Sequence, residues 1–171
     1  METWDAIRSR RNVRTFTDRP VGAADLERIL EAARRTPSSS NRQRWDFVVV
    51  TDRERLRRLA GVWRGAGHIA GSAATIALIA PQADDPHIRE SIQYDLGQVT
   101  MSVMLTAADV GIGSGHAAVE DQHLAREILG FPEDRFCAWL IALGHPADRP
   151  LRPVRRPDRR PPDEVVHRER W

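Results

Sequence analysis

The sequence predicts an α+β domain that ends in a long irregular arm. Segments with apolar residues at helical spacing alternate along the chain with short runs of β-branched and apolar residues. The 171 residues suffice for one domain that buries about 70% of its unfolded surface. Six of the eleven prolines lie between Pro146 and the C-terminus, where they exclude a continuous helix or a central strand. We therefore expect residues 1–146 to form the domain and residues 147–171 its Pro/Arg-rich C-terminal arm.

The helices are predicted from apolar periodicity and from capping residues. A short helix over residues 3–9 takes Thr3 as its N-cap, and residues 22–36 form a second, amphipathic helix. A capping box from Thr51 to Glu54 opens a third helix. Residues 87–110 form the longest periodic segment and predict a central core helix, and a last helix ends at Gly130. The apolar stripe of the long segment comprises Ile92, Leu96, Val99, Val103 and Ala107.

Three apolar runs predict strands, at residues 45–51, 74–80 and 136–143. The second run, ATIALIA, is continuously apolar, which indicates a strand buried on both faces. The third contains Cys137, the single cysteine, which fits a small core residue in a reducing compartment. No signal peptide and no apolar run long enough to span a bilayer occur, so we expect a cytoplasmic protein without a membrane partner.

Basic residues concentrate at the two ends of the chain. All 26 basic residues are arginine, and four of them lie in the stretch IRSRRNVRTF, residues 7–16. Nucleic-acid binding through these arginines would predict steep salt dependence. The acidic middle of the chain and the absence of an aromatic stacking motif argue against it, so no nucleic-acid partner is expected.

A second polar loop accompanies the arginines. The stretch PSSSNRQR separates the second helix from the first strand, and its Ser, Asn and Gln residues are ordinary turn residues when taken alone. Arginine offers a planar fork suited to phosphate, and Ser and Asn offer neutral hydrogen bonds. Together the two loops suit a phosphorylated, ring-bearing cofactor.

Two other kinds of site are disfavoured. The histidines have no metal-ligand spacing of the HExxH or Cys-His type, so no metal site is expected. A serine hydrolase lacks its GxSxG nucleophile elbow, because GIGSG has its serine in the wrong frame.

The chain resembles the nitroreductase family of flavoproteins over almost its whole length. The resemblance is carried by AIRSRRNVRTFTDRPV, ILEAARRTPSSSNRQRWDFVVV, AADVGIGSGH and the closing LGFPEDRFCAWLIALGHP with RRPPDEVVH. It implies a nitroreductase-like α+β fold with a mostly antiparallel sheet, flanking helices and a long central helix. It also implies a homodimer with one FMN in each of two interface clefts and a C-terminal arm that extends onto the partner.

The resemblance assigns the site residues position by position. Arg10, Arg11 and Asn12 match the loop that holds the phosphate and ribityl side of FMN, and Arg14 matches the basic residue at the pyrimidine edge. Arg8 matches no such role. Either Arg159 or Arg160 matches a late residue that closes on the phosphate. The loop reaching the flavin from the other subunit comprises Pro37, Ser38, Ser39, Ser40, Asn41 and Gln43, and the turn whose amides border the reactive nitrogen comprises His116, Ala117, Ala118 and Val119.

The implied chemistry is hydride transfer from NAD(P)H to FMN and then to a small organic acceptor, such as a nitroaromatic or a quinone, by a ping-pong cycle. The flavin performs the reaction, so no side chain is needed as nucleophile or base. An alternative is an FMN-binding protein of the same fold that serves storage or a specialised biosynthetic reaction.

Three departures from the family pattern bear on substrate choice. Arg44 stands where the family often has proline, and could favour the 2′-phosphate of NADPH. The segment after Pro81 is short where many members carry a helical cover. The basic residue that other members place before the second strand has no clear match, with Arg64 the nearest candidate.

Overall fold

The computed structural model describes residues 1–171 and contains five α-helices and one four-stranded antiparallel sheet. The α+β class with an antiparallel sheet is thereby confirmed. The strands lie in the order β1-β2-β4-β3. The helices are α1 (Thr3–Ser9), α2 (Ala23–Arg34), α3 (Arg53–Leu59), α4 (Pro86–Asp109) and α5 (Gln122–Leu129); the strands are β1 (Asp46–Val50), β2 (Ala74–Pro81), β3 (Gly113–Ala118) and β4 (Arg135–Gly144).

The sheet is covered by helices on both faces. Alternate residues of β2 enter two separate apolar clusters: Ile76 and Leu78 pack in the cluster that includes α2 and α4, and Ala77 and Ile79 pack with α3 and α5. Every residue of β2 except Pro81 is buried. The prediction of a strand buried on both faces is confirmed.

Helix α4 is the central core helix that the sequence predicts. Its five-residue apolar stripe is buried, as periodicity requires. Asp85 caps its first turn, where the carboxylate accepts a hydrogen bond from the His87 amide at 2.8 Å, and Pro86 occupies the first helical position. The helix ends just before Gly111, whose φ is 77°.

Two predicted N-caps were wrong by one residue. Glu2, not Thr3, is the N-cap of α1, and it makes no side-chain cap bond. Asp52, not Thr51, caps α3, and it accepts from the Arg55 amide at 2.9 Å. Because strand β1 ends at Val50, Asp52 is the residue whose side chain faces the third backbone amide of α3.

Strand β3 was predicted as a turn. Residues His116 to Ala118 lie in the strand, which pairs antiparallel with β4, and only Val119 lies beyond its end. Glycine has low strand propensity, so local sequence gave no strand signal. A neighbouring segment requires these glycines: a Cβ on Gly115 would overlap the carbonyl oxygen of Val13.

The C-terminal arm runs over the surface. Its Val154 amide donates to the Arg8 carbonyl at 3.1 Å. Its last apolar residues, Val165, Val166 and Trp171, are 50%, 54% and 98% exposed, so the core of the same chain does not receive them. No helix of the structure combines the length and apolarity that a membrane crossing requires.

Candidate functional site

The arginine loop, residues 10–16, is tied to the edge of the sheet through its backbone. The Val13 amide donates to the Ser114 carbonyl of β3 at 2.8 Å, and Asn12 forms a parallel bridge with Ser114. Phe16 bridges to Pro146 beyond β4. Because main-chain atoms and glycine contacts fix the loop, its arginine side chains are not needed to hold it.

Three arginines of this region have no carboxylate partner. Arg8, which has no match among the cofactor-binding residues, pairs with Asp5 at 2.6 Å and is exposed on α1. Arg11 donates to the Arg152 carbonyl at 2.7 Å and to the Ser9 carbonyl, whereas Arg10 and Arg14 form no ion pair. The loop therefore presents uncompensated positive charge.

Two half-buried imidazoles lie beside the arginine loop. His116 on β3 packs edge-on against Trp139, with ring centroids 5.7 Å apart, and its Nδ1 is buried without a hydrogen-bond partner. Burial lowers the pKa of His116, and the charges of Arg14 and Arg10 lower it further. Asn12 Oδ1 is likewise buried without a partner. Two unsatisfied polar atoms thus accompany the free arginines.

His68 lies in the 3₁₀ turn Gly67–Gly71 and was not singled out from the sequence. Its Nε2 lies 3.4 Å from the Gly115 carbonyl oxygen. Burial is the main cause that lowers the pKa of His68, and Arg14 and His116 add to it. A lone histidine among glycines carries no sequence signal, and only the tertiary fold brings it to β3.

A cavity of about 650 Å³ opens between the arginine loop and the segment before β2. It brings Arg14 together with Arg64 and His68. Its remaining lining consists of Trp63, Gly65 and Gly67. Arg64 was the nearest sequence candidate for a basic residue in this region, and it does line the same cavity as Arg14.

The serine loop, residues 36–43, is anchored on α4 by a buried carboxylate. The Ser39 amide lies 3.1 Å from both oxygens of Asp95, and the Ser39 hydroxyl donates to the same group at 3.3 Å. Asp95 is 1% exposed. A buried carboxylate needs such donors, so Asp95 and the loop stabilise each other. Asp95 carries no signal in the sequence, because its loop partner lies 56 positions away.

The backbone of the serine loop is strained. Ser40, Asn41 and Gln43 have φ values of 51°, 53° and 48°, in the left-handed region that favours glycine. The Gln43 amide donates to the Ser38 hydroxyl at 2.9 Å, and Gln43 Nε2 donates to the Asn41 carbonyl. Strain of this kind persists only where surrounding bonds over-determine it, and it is often found at binding sites.

The structure holds the two predicted loops on different elements. The arginine loop is bonded to β3 and the serine loop to α4, and no hydrogen bond joins them within the chain. His116, Ala117 and Ala118 lie on β3 next to the arginine loop. The predicted residues therefore form two separately anchored halves.

The late arginines have partners within the arm. Arg159 donates to the Asp158 carbonyl, and Arg160 bonds the Glu164 carboxylate at 3.2 Å. The arm residues that reach the arginine loop are instead around Arg152, where a cavity of about 520 Å³ is lined by Arg11, Arg152 and Arg155 among others. The phosphate role of Arg159 or Arg160 stays a prediction.

Comparison with known proteins agrees with this architecture. The model of the nitroreductase family matches residues 7–68, which include both loops. A protein of Archaeoglobus fulgidus, provisionally named an NADH dehydrogenase/NAD(P)H nitroreductase, is 32% identical over 169 residues that cover 96% of each chain. The oxygen-insensitive NADPH nitroreductase of Salmonella typhimurium is 31% identical, over 99% of this chain and 74% of the relative.

A solved structure supports the same assignment. The NADPH:FMN oxidoreductase of Vibrio harveyi, in complex with NAD⁺, superimposes with a TM-score of 0.85 and 25% identity, over 97% of this chain and 76% of its own. Sequence relatives that span nearly the whole chain and a shared fold lead to one conclusion. The chain belongs to the nitroreductase family.

Proposed function

We propose that the chain is an FMN-dependent oxidoreductase that passes a hydride from NADH or NADPH, through the flavin, to a small organic acceptor. The observation that carries the proposal is the cluster of unpaired Arg10 and Arg14 beside the two buried unsatisfied atoms of Asn12 and His116. Family membership and the named activities of the relatives support the NAD(P)H-dependent chemistry.

The residues present fit a phosphorylated flavin. Arg10 and Arg11 supply guanidinium groups without carboxylate partners, which suits a phosphate dianion. Asn12 Oδ1 can accept from a ribityl hydroxyl, and so satisfy an atom that is otherwise buried alone. FMN supplies the hydride-accepting ring.

The side chains position the cofactor and adjust the local charge. Arg14 would lie at the pyrimidine edge of the bound flavin, where its guanidinium would stabilise negative charge. The backbone of His116–Val119 would border the reactive part of the bound ring, and strand pairing with β4 fixes its residues His116 to Ala118. No side chain serves as nucleophile or general base.

A ping-pong cycle suits the open cavity beside Arg14. Its walls bear arginine, histidine and Trp63, and donor and acceptor would occupy its volume of about 650 Å³ in turn. Nitroaromatics and quinones are the acceptors that we propose. The half-buried Arg44 extends the positive charge near the serine loop, and we assign it to the 2′-phosphate of NADPH. Equal NADPH/NADH rate ratios in the wild type and in Arg44→Ala would remove that assignment.

The active form that we propose is a homodimer. Ser40 and Asn41 are exposed and carry strained backbone, and their loop is anchored away from the arginine loop. A second chain that supplies its serine loop would complete the site, and its surface would receive the exposed Val165, Val166 and Trp171 of the arm. Arg159 or Arg160 of the arm would then close on the phosphate. The buried free Cys137 supports a cytoplasmic location.

The proposal is tested by the visible spectrum of the purified protein after FMN addition and desalting, followed by anaerobic NADH or NADPH. Retained flavin bands that bleach with donor support the oxidoreductase. Arg14→Ala should weaken retention or slow bleaching, whereas Arg57→Ala, which breaks only an exposed pair on α3, should behave as wild type. A colourless protein after desalting would overturn the proposal.

A second function is favoured by one observation. The connection between β2 and α4, residues 82–85, is too short to form a helical cover, and a cavity of about 800 Å³ opens beside it. A flavin without such a cover would fit storage or a specialised reaction as well as general reduction. Retained flavin that neither donor bleaches would favour this second function.

A further inference from the structure

His68 lines the same cavity as Arg14 and contacts the backbone of β3. Its Nε2 faces the Gly115 carbonyl at 3.4 Å, and the Gly65 carbonyl is its second backbone neighbour. Both carbonyl oxygens favour the protonated ring, because an imidazolium donates from both nitrogens whereas a neutral imidazole donates from one.

Burial and the positive charge of Arg14 oppose that protonation. The ring is half-buried, and Arg14 and His116 both face it. Arg64 lines the same cavity, and Arg10 faces His116. No carboxylate pairs with Arg10, Arg14, Arg64 or His68. Burial is the largest cause that lowers the pKa of His68 in the ligand-free chain, followed by the charges of Arg14 and, when it is protonated, His116.

A negative charge in this cavity would instead favour the protonated form of His68. It would offset the repulsion from Arg14 while the two carbonyls continued to favour the imidazolium. The proposed function supplies such a charge next to Arg14, since hydride transfer turns a neutral flavin ring into an anion.

We propose that His68 is the redox-linked proton acceptor of this site: it takes up one proton from solvent when the flavin is reduced and releases it when the flavin is reoxidised. The inference rests on the proposed function, because it requires FMN with its pyrimidine edge at Arg14.

The step balances in atoms and charge. The nicotinamide donor gives two electrons and one proton as a hydride, which leaves the ring with one negative charge. One solvent proton then binds His68, so reduction takes up two protons in all and the site gains no net charge. On transfer of the hydride to the acceptor the imidazolium returns its proton to solvent, while the reduced acceptor draws its own second proton from solvent.

His116 is less suited to this role. The charges of Arg14 and Arg10 both disfavour its protonation, and its Nδ1 has no hydrogen-bond partner that would favour a proton. His68 has two carbonyl partners, so the matched comparison is between His68→Gln and His116→Gln. His87→Gln, at an exposed histidine on the first turn of α4, serves as a remote control.

The test is the two-electron potential of the FMN-loaded protein, measured from about pH 5 to about pH 9, together with ¹⁵N NMR of labelled histidine in both redox states. In wild type we expect a pH window in which the potential has about twice the slope per pH that hydride alone requires. The His68 titration should move to higher pH on reduction. His68→Gln should lose the steep window, whereas His116→Gln and His87→Gln should keep it.

Three outcomes would overturn the inference. A steep window that persists in His68→Gln would place the proton on the flavin, and a window lost only in His116→Gln would place it on the other imidazole. An identical His68 titration in both redox states of wild type would refute it without any variant. In each case retained, bleachable flavin would leave the proposed function standing, whereas failure to retain FMN would remove both.

Discussion

The arginine loop and the serine loop are held in place in opposite ways. Main-chain contacts fix the arginine loop: the Val13 amide bonds β3, and its carbonyl lies where only a glycine at position 115 leaves room. One buried side chain fixes the serine loop, through three hydrogen bonds from Ser39 to Asp95. The first loop has ordinary backbone angles, and the second has three strained residues.

In each loop, the atoms that anchor it to the fold differ from the atoms that remain available to a ligand. The arginine loop bonds the sheet through backbone atoms and leaves the guanidinium groups of Arg10 and Arg14 without an ion pair. The serine loop bonds α4 through one side chain and one backbone amide, and it leaves Ser40 and Asn41 exposed. A substitution that adds volume should therefore destabilise the arginine loop, whereas one that removes a charge should destabilise the serine loop.

The largest effect is expected from Gly115→Ala. The new methyl group would overlap the Val13 carbonyl oxygen, so the arginine loop must shift or β3 must distort. Overpacking of this kind costs about 1–3 kcal/mol of the free energy of unfolding. Urea unfolding should show that loss, and FMN retention after desalting should fall with it.

Gly71→Ala is the matched control, because a Cβ there meets nothing within 4 Å. It should change the free energy of unfolding by less than about 0.5 kcal/mol. Equal losses in the two variants would show that glycine-specific packing does not hold the arginine loop.

Asp95→Asn should have the next largest effect. The amide keeps one acceptor but loses the charge to which the Ser39 amide and hydroxyl donate. Hydrogen bonds to charged groups contribute about 1.5–3 kcal/mol, so we expect a loss of about 1–2 kcal/mol and faster proteolysis within the serine loop. Asp84→Asn, at an exposed carboxylate without side-chain bonds, should leave both unchanged. Unchanged proteolysis in Asp95→Asn would mean that α4 does not anchor the loop.

Local sequence predicted the parts of the fold that periodicity determines. Helix α4 and strand β2 follow directly from their apolar patterns. Strand β3 does not, since its glycines are required by the passing Val13 segment rather than by strand propensity. In the site, clustering made the arginines visible, whereas His68 and Asp95 are single polar residues whose partners are 47 and 56 positions away. Only tertiary structure reveals such pairs.

A smaller and opposite effect is expected from Ser40→Gly. Its φ of 51° costs a non-glycine residue about 1–2 kcal/mol, and glycine removes that strain at an entropic cost of about 0.5–1 kcal/mol. The free energy of unfolding should rise by up to about 1 kcal/mol. Ser39→Gly should lower it, because Ser39 has no positive φ and loses its hydroxyl bond to Asp95. Destabilisation in both variants would mean that the left-handed backbone at residue 40 is not strained.

The smallest effect is expected in the pH dependence of the free energy of unfolding, through His116 beside the arginine loop. Burial and the nearby arginines lower the pKa of His116 in the folded chain, so the unfolded chain binds more protons as the pH falls below about 6.5. Stability should therefore be constant above that pH, fall through the interval down to the folded pKa, and level off below it.

His116→Gln should flatten the decline of the ligand-free protein between about pH 7 and about pH 5, in buffered urea titrations, by removing the contribution of one imidazole. His87→Gln should leave the decline as in wild type, since that side chain is 94% exposed. If His116→Gln leaves the decline unchanged, the acid sensitivity does not arise where the arginine loop meets β3. The free energy of folding would then be independent of the charge on the His116 imidazole.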